Sequence, residues 1–564
     1  MDLFFDAHLH LTLKNQFSKG GNSTSPWKAI TRNDLKDGLP ELLKLFGLGT
    51  LDKTFSSQSS PDQLIRANYR MVVCPLFAPD VDLVRAISSK KIFMKILKRF
   101  HNTNFGMVLS FERYGELGNE NNPFSIVEND LRLLVQMDPA DPSRSLVFLK
   151  KASDFTSDTP GQLGVVFSIE GLHSLRSDLT LTDEDQIFTD IKTNLEKLLA
   201  RGLTVVMANL THIDNCNRKI CNQAYAMDGM RSNGFKEKVL RPAGHGLPVL
   251  GRRLVDLLES HRIAVDIKHM SVLARRELYA FRKERGITSP LVSSHSGIAG
   301  IPFDSPDEGF RDYIFEAKKQ DGVQQIKVAK VVKYKSPKPF VAVGFNATSI
   351  SLFDEDIQAI YESDGLLGIS MDERVLGYSR AHRLDPEVFS DNVGLILDSF
   401  GNSKRVMLDR DYISNSEFEH LGLNRVKRGS KLKNTVDAEE LIKMVVGNST
   451  NVPPYQFFHF LNHVLHCVVL ADRIDGPAGV EKMLTRILCV GSDFDGLIDA
   501  MDLCLNCSQS TSIKMKFIEE FPEILDLNQL QLPSGLSIQT VADRLFYENG
   551  RDFVLRSLEL QRGD

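Results

Sequence analysis

The chain has 564 residues, 42% hydrophobic and 25% charged, a balance ordinary for a folded globular protein. Its net charge of −5 argues against a general nucleic-acid binder, which would carry a basic surface. No apolar stretch approaches the roughly 18–20 residues needed to cross a bilayer, so no membrane span is expected.

In chain order, the first apolar run is Leu3-Phe4-Phe5, which ends in Asp6-Ala7-His8-Leu9-His10. With His8 so close to Met1, no signal peptide is expected ahead of it, and the location is read as cytoplasmic. A loop-like polar tract, Lys19–Pro26, sits in a stretch outside the strand pattern, residues 11–69. The second run covers 71–77. After another extra stretch at 101–162 comes Val165–Ile169, which ends in Glu170. The spacing of Ile191, Leu195, Leu198 and Leu199 predicts a helix over Asp190–Ala200, and Leu203–Met207 then leads to Thr211-His212. A second helix is predicted over Gly251–His261. Ile263–Ile267 precedes His269, and Leu291–Ser294 precedes His295.

A third extra stretch, 303–345, holds Ile326–Tyr334, whose near-alternation predicts a solvated strand paired with Phe340–Val343 across Ser336-Pro337-Lys338-Pro339. The run at 366–370 follows. The stretch 373–455 carries the basic segment Arg425–Lys433, which reads as a solvated loop, and the final run, Ile487–Val490, precedes Asp493. Seven cysteines do not make a disulfide framework. Cys504-Leu505-Asn506-Cys507 is a lone CxxC with no second pair, and Cys216 and Cys221 flank a polar loop.

Eight runs, near 3–8, 71–77, 164–169, 203–209, 263–268, 290–294, 366–370 and 487–492, mostly separated by helical patterns, argue for parallel βαβ units that close a (β/α)8 TIM barrel. Such a barrel needs about 250 residues. The chain therefore reads as one catalytic domain, 1–564, with the four extra stretches as insertions.

His8, His10, Glu170, His212, His269, His295 and Asp493 each stand at or just past the end of a run. In a parallel barrel those ends open on one face, where metal sites are built. Residues i and i+2 of a strand share a face, so His8 and His10 can grip one cation. Singly, each residue has a bland reading: Glu170 as a first-turn acid at a helix N-terminus, His269 or His295 as a hydrogen-bonded core histidine. A shared register across the chain is what weakens those readings. Imidazoles with carboxylates suit zinc better than magnesium or calcium. Histidines beyond the needs of one four-coordinate ion point to two ions, with Glu170 as the bridge.

The segments Asp6–His10, Ser168-Ile169-Glu170-Gly171, Leu210–Asn215, Val265–Ser271, Ser294-His295-Ser296 and Gly491–Gly496, in this order, resemble the membrane (renal) dipeptidases, metallopeptidase family M19 of the amidohydrolase superfamily. Asn549-Gly550-Arg551 resembles that family's closing helix. The resemblance implies a (β/α)8 barrel with two zinc ions. His8 and His10 would bind one, His269 and His295 the other, and Glu170 would bridge them. His212 would meet the substrate carbonyl and Asp493, at the metals, would handle the proton. The implied activity is zinc-dependent hydrolysis of dipeptides or related small amides by a metal-bridged hydroxide. The implied partner is a small-molecule substrate, with no nucleic acid and no membrane, and dimerisation follows by analogy.

Two departures from the family pattern stand out. His10 occupies the place of an aspartate, which makes the site one unit more positive and favours an anionic substrate. The family's carboxylate-gripping arginine is missing after His295, and Arg374, beyond the Leu366–Ser370 run, is the expected substitute. The alternatives are a superfamily hydrolase of another bond (N-acyl amino acid, lactone, cyclic amide or phosphoester, the TatD-like nucleases included) and a non-catalytic metal-binding scaffold.

Overall fold

The apolar runs become eight parallel strands: β1 (Phe4–Asp6), β2 (Tyr69–Leu76), β3 (Gln162–Ile169), β4 (Val205–Asn209), β5 (Ala264–Asp266), β6 (Leu291–Ser296), β7 (Leu366–Ile369) and β8 (Leu488–Val490). The computed structural model describes residues 2–36, 55–139, 141–156, 159–213, 215–226, 237–335, 344–377, 393–397, 403–423 and 455–562. The strands lie side by side in chain order, with Val72 opposite Val165 and Leu367 opposite Leu488. The ring closes between β8 and β1. Ala7 N donates to Val490 O (2.9 Å), Asp493 N to His8 O (2.9 Å) and His10 N to Phe494 O (2.8 Å). The fold is the expected (β/α)8 barrel, whose closure leaves no open sheet edge.

Strands buried on both faces read as continuous apolar runs rather than as alternation. The structure shows why. Phe5, Met71, Val73, Val166, Val206, Ala264, Val292, Leu366 and Cys489, drawn from all eight strands, pack together with Tyr547, Phe553, Val554 and Leu558. Their neighbours Val72, Cys74, Val165, Phe167, Val265 and Leu367 join Ile191, Leu195, Leu198, Leu254 and Leu258 of the surrounding helices. Those helices are α1 (Glu184–Ala200) and α2 (Val249–Ser260), followed by α3 (Val272–Arg285), α4 (Asp354–Glu362) and α5 (Tyr455–Lys482). Helix α1 begins before the predicted Asp190, because Asp183 caps it by accepting from the N–H groups of Asp185 and Gln186. The apolar period is silent over that polar first turn.

The last helix, α6 (Asn549–Arg562), is tied to the starts of the strands. Asn549 Nδ2 donates to Leu484 O (2.9 Å) and Leu488 O (2.8 Å), and Gln561 Nε2 donates to Val205 O (2.7 Å). A Cβ on Gly550 would stand 2.0 Å from the Phe5 ring, so only glycine lets the helix lie this close. It seals the end of the barrel opposite the polar residues.

One strand prediction is corrected. The strand is Val323–Ala329 rather than Ile326–Tyr334, and Ile326, Val328 and Ala329 are buried, not solvated. It pairs with Ile314–Gln320 across Asp321-Gly322, and on its other side with Ser403–Ser414, in a four-stranded antiparallel sheet completed by Val393–Leu397. The second partner is distant in sequence, so local periodicity could not reveal the pairing. Beyond the strand, Val331 makes an isolated bridge with Phe345. The proposed partner Phe340–Val343 and the basic segment Arg425–Lys433 lie outside the described residues. A further strand, Ser145–Phe148, pairs in parallel with the start of β3 and is not one of the eight strands of the ring. Among the described residues, no helix is long and apolar enough to cross a membrane.

Candidate metal centre

Two buried aspartates brace the strand ends that carry the cluster. Asp6 Oδ1 accepts from His8 N (3.1 Å) and Ser492 N (2.9 Å), joining the ends of β1 and β8. Asp266 Oδ1 accepts from Lys268 N (3.0 Å) and Ser294 N (3.2 Å), joining β5 to β6. Burial raises both carboxyls, Asp6 to about 7. His269 (φ 69°) and Asp493 (φ 62°) hold left-handed backbone, which non-glycine residues rarely adopt and which clusters at functional sites. A Cβ on Gly496 would lie 2.0 Å from Asp493 Oδ1, so glycine there makes room for the carboxylate.

All seven residues singled out at run ends converge. His8 Nε2 lies 3.4 Å from Glu170 Oε1, and His10 Nε2 lies 3.4 Å from Glu170 Oε2. Asp493 Oδ1 is 3.9 Å and 3.6 Å from the same two nitrogens. Across the carboxylate, His269 Nε2 is 3.2 Å from His295 Nε2, and the two lie 3.5 Å and 3.8 Å from Glu170 Oε1. His212 Nε2 is also 3.5 Å from Oε1. A tetrahedral ion with bonds of about 2.0–2.1 Å sets neighbouring ligand atoms about 3.3 Å apart, close to these separations.

The donor chemistry fits a cation as well as the spacing does. Burial, with His212 nearby, pushes His269 down to about 3, and burial with His8 holds His295 well below its usual range. Both rings are therefore neutral lone-pair donors, the metal-binding form of imidazole. Burial alone would raise the Glu170 carboxyl, but His8 and His212 outweigh it and hold Glu170 well below the carboxylate range. Glu170 Oε2 and His8 Nε2 are buried and make no hydrogen bond within the protein. Among the described residues, His8–Glu170–His295, His8–His10–Asp493 and Glu170–His212–His269 each gather three donor atoms close enough for one ion.

Arg374 is not brought into this cluster as a free clamp. Its Nε and Nη2 are paired with Asp372, at 2.9, 3.1 and 2.5 Å, so one bidentate edge of its planar fork is already occupied. Burial would lower the guanidinium, and Asp372 more than reverses that. The reason is local: an aspartate two residues earlier in the same turn reaches the fork first.

Two residues of the site were not singled out from sequence. Lys268 is buried, and burial pushes its ammonium down to about 8 against the opposing pull of Asp493, Asp266, Asp372 and Glu170. Its position next to His269 was the available signal. Asp80 is also buried, and its Oδ2 accepts from His212 Nδ1. Asp80 lies just past the end of β2, the first strand after β1 and one to whose end no chemistry had been assigned. Phe77, from the same segment, sets its ring 4.8 Å from His212 and 5.8 Å from His10, an apolar wall on the cluster. A further group, Asp80–His173–Cys216, lies beside the cluster. All seven cysteines are free thiols, and burial raises Cys504 to about 12 and Cys507 well above the usual range, which makes the CxxC an unreactive pair.

The sequence matches no family model and no curated protein. Among solved structures, it is similar to the probable dipeptidase PvdM from Pseudomonas aeruginosa, at 15% identity and a TM-score of 0.43, over 100% of this chain and 96% of that one. It is similar to dipeptidase AC, a metallopeptidase of family M19, at 11% identity and a TM-score of 0.43, over 99% and 98% of the two chains. A metallopeptidase from Rhodobacter sphaeroides, liganded with a phosphinate mimic of the dipeptide L-Ala-D-Ala, is similar at 11% identity and a TM-score of 0.42, over 99% of each chain. These likenesses add nothing to the strand register, which by itself defines the barrel.

Proposed function

We propose that this protein is a metal-dependent hydrolase of dipeptides or related small amides, with two zinc ions held on either side of Glu170. The observation that carries the reading is the placement of Glu170 among four imidazoles: Oε2 faces His10, while Oε1 faces His8, His269 and His295. His8 and His10 would hold one ion, His269 and His295 the other. When bound, such a pair supplies an acidified water and a polarised carbonyl at neutral pH.

The chain's own residues do the rest. Asp493, whose side chain is 16% exposed against 3% for Glu170, is the cluster's more accessible acid. It takes the proton of the attacking water and returns it to the leaving amine nitrogen. His212 turns Nε2 toward Glu170 and, as the imidazolium whose other N–H is bonded to Asp80, donates to the oxyanion that forms at the carbonyl. Phe77 covers one side of the site and excludes water there.

A second reading, hydrolysis of a cyclic amide or lactone bond, is favoured by the pairing of Arg374 with Asp372, because a substrate without a free carboxylate needs no such clamp. Metal analysis followed by turnover on a dipeptide panel and a panel of cyclic amides and lactones tests both. Two zinc ions per chain with dipeptide turnover supports the first reading, and turnover on the second panel alone supports the other. Metal bound with no turnover on any amide leaves a non-catalytic scaffold.

A further inference from the structure

Asp80 breaks a local rule. It occupies the N-cap of the helix Val81–Ser88, where an aspartate ordinarily accepts from the first free N–H groups, yet its side chain makes no capping bond. The carboxylate turns instead into the barrel mouth and accepts from His212 Nδ1. A side chain that gives up its local bond for a distant one marks a functional demand.

The surroundings hold Asp80 in place. Its backbone O accepts from Val84 N (3.0 Å), which keeps it at the helix start. His173 Nε2 lies 3.8 Å from Asp80 Oδ1 and bonds Ala78 O at 2.8 Å, while Asn217 Nδ2 meets His173 Nδ1 at 3.1 Å. The segments that follow β2, β3 and β4 are thereby joined behind the cluster. The His212 ring itself is flanked by Phe77 (4.8 Å) and His269 (4.4 Å), contacts that a ring turned over by half a revolution would satisfy equally well. The hydrogen bond from Nδ1 to Asp80 favours the orientation that keeps Nε2 toward Glu170.

We infer that Asp80 is a positioning residue that acts through His212, fixing the orientation of its ring so that Nε2 faces the cluster. The kinetic part of this rests on the hydrolase reading; the structural part does not. Asp80→Ser separates the two roles, since serine restores a helix cap while removing the partner of His212. Asp80→Asn keeps the shape and removes the charge. With alanyl-alanine as substrate, both variants should lose roughly 10–100-fold in kcat, with KM, zinc content and melting temperature little changed. In a His212→Ala background the same substitutions should cost nothing further. The wild-type zinc-loaded protein should show a low-field imidazole proton by NMR that is absent from Asp80→Ser and from His212→Ala alike.

Wild-type kcat in both variants, or losses that add to that of His212→Ala, overturns the inference. A low-field proton that survives in Asp80→Ser also overturns it. Should alanyl-alanine not be turned over at all, the dipeptidase reading fails, while the NMR signal alone still decides whether Asp80 holds His212.

Discussion

At the scale of single residues, the site is organised around one carboxylate. Oε2 of Glu170 meets His10, Oε1 meets His8, His212, His269 and His295, and nearby histidines keep the carboxylate ionised despite full burial. Glu170→Gln preserves size but removes the charge that would hold two cations together. We expect that variant to bind less than the wild-type complement of zinc and to lose at least about 10²-fold in turnover, checked by elemental analysis beside kcat. An unchanged zinc content would remove Glu170 from the bridging position. Residues at this scale were unequally visible in the sequence. His8, His10, His269 and His295 announced themselves by chemical type at strand ends. In sequence Asp80 looks like any helix-capping aspartate and Lys268 like a surface lysine, and the structure separates them by burial and, for Asp80, by its bond to His212.

At the scale of elements, the barrel strands were legible because a strand buried on both faces is a short, unbroken apolar run whose ends are set by turn residues. The antiparallel sheet beside the barrel was not, since Val323–Ala329 draws one of its partners from Ser403–Ser414 and no local pattern records that pairing. The closing helix α6 offers a direct test of element packing. Gly550→Ala places a methyl group 2.0 Å from the Phe5 ring, against a rigid aromatic that lines the barrel interior. Overpacking of this kind costs about 1–3 kcal/mol, so the melting temperature should fall by several degrees while zinc content per folded chain stays the same. A melting temperature equal to wild type would show that α6 can shift without loss.

At the scale of the whole molecule, the pH dependence of stability draws on a buried histidine that is not part of the cluster. His463 on α5 is buried with Nε2 unbonded and its ring 5.2 Å from Phe345, and burial pushes it down to about 3. Between its unfolded value near 6.5 and about 3, the unfolded chain takes up a proton that the folded chain refuses. This group therefore costs stability progressively as pH falls through that window and costs nothing above it. His463→Phe should flatten the acid side of the melting-temperature profile between pH 7 and 4, and an unaltered slope would show that His463 does not titrate on unfolding. Asp6 and Asp130, raised by burial to about 7, act in the opposite sense and contribute stability that is lost as pH rises toward 7.

The amino-acid order by itself determined how many strands the barrel has and which polar side chains stand at their ends, because apolar run length and chain register are local properties. The tertiary structure alone decided that Glu170 stands among the imidazoles, that Asp80 leaves its helix cap for His212, and that Arg374 pairs with Asp372. Those outcomes depend on distances between segments separated along the chain, or on which of two nearby partners a side chain reaches first. Closing eight strands into a ring is what sets them.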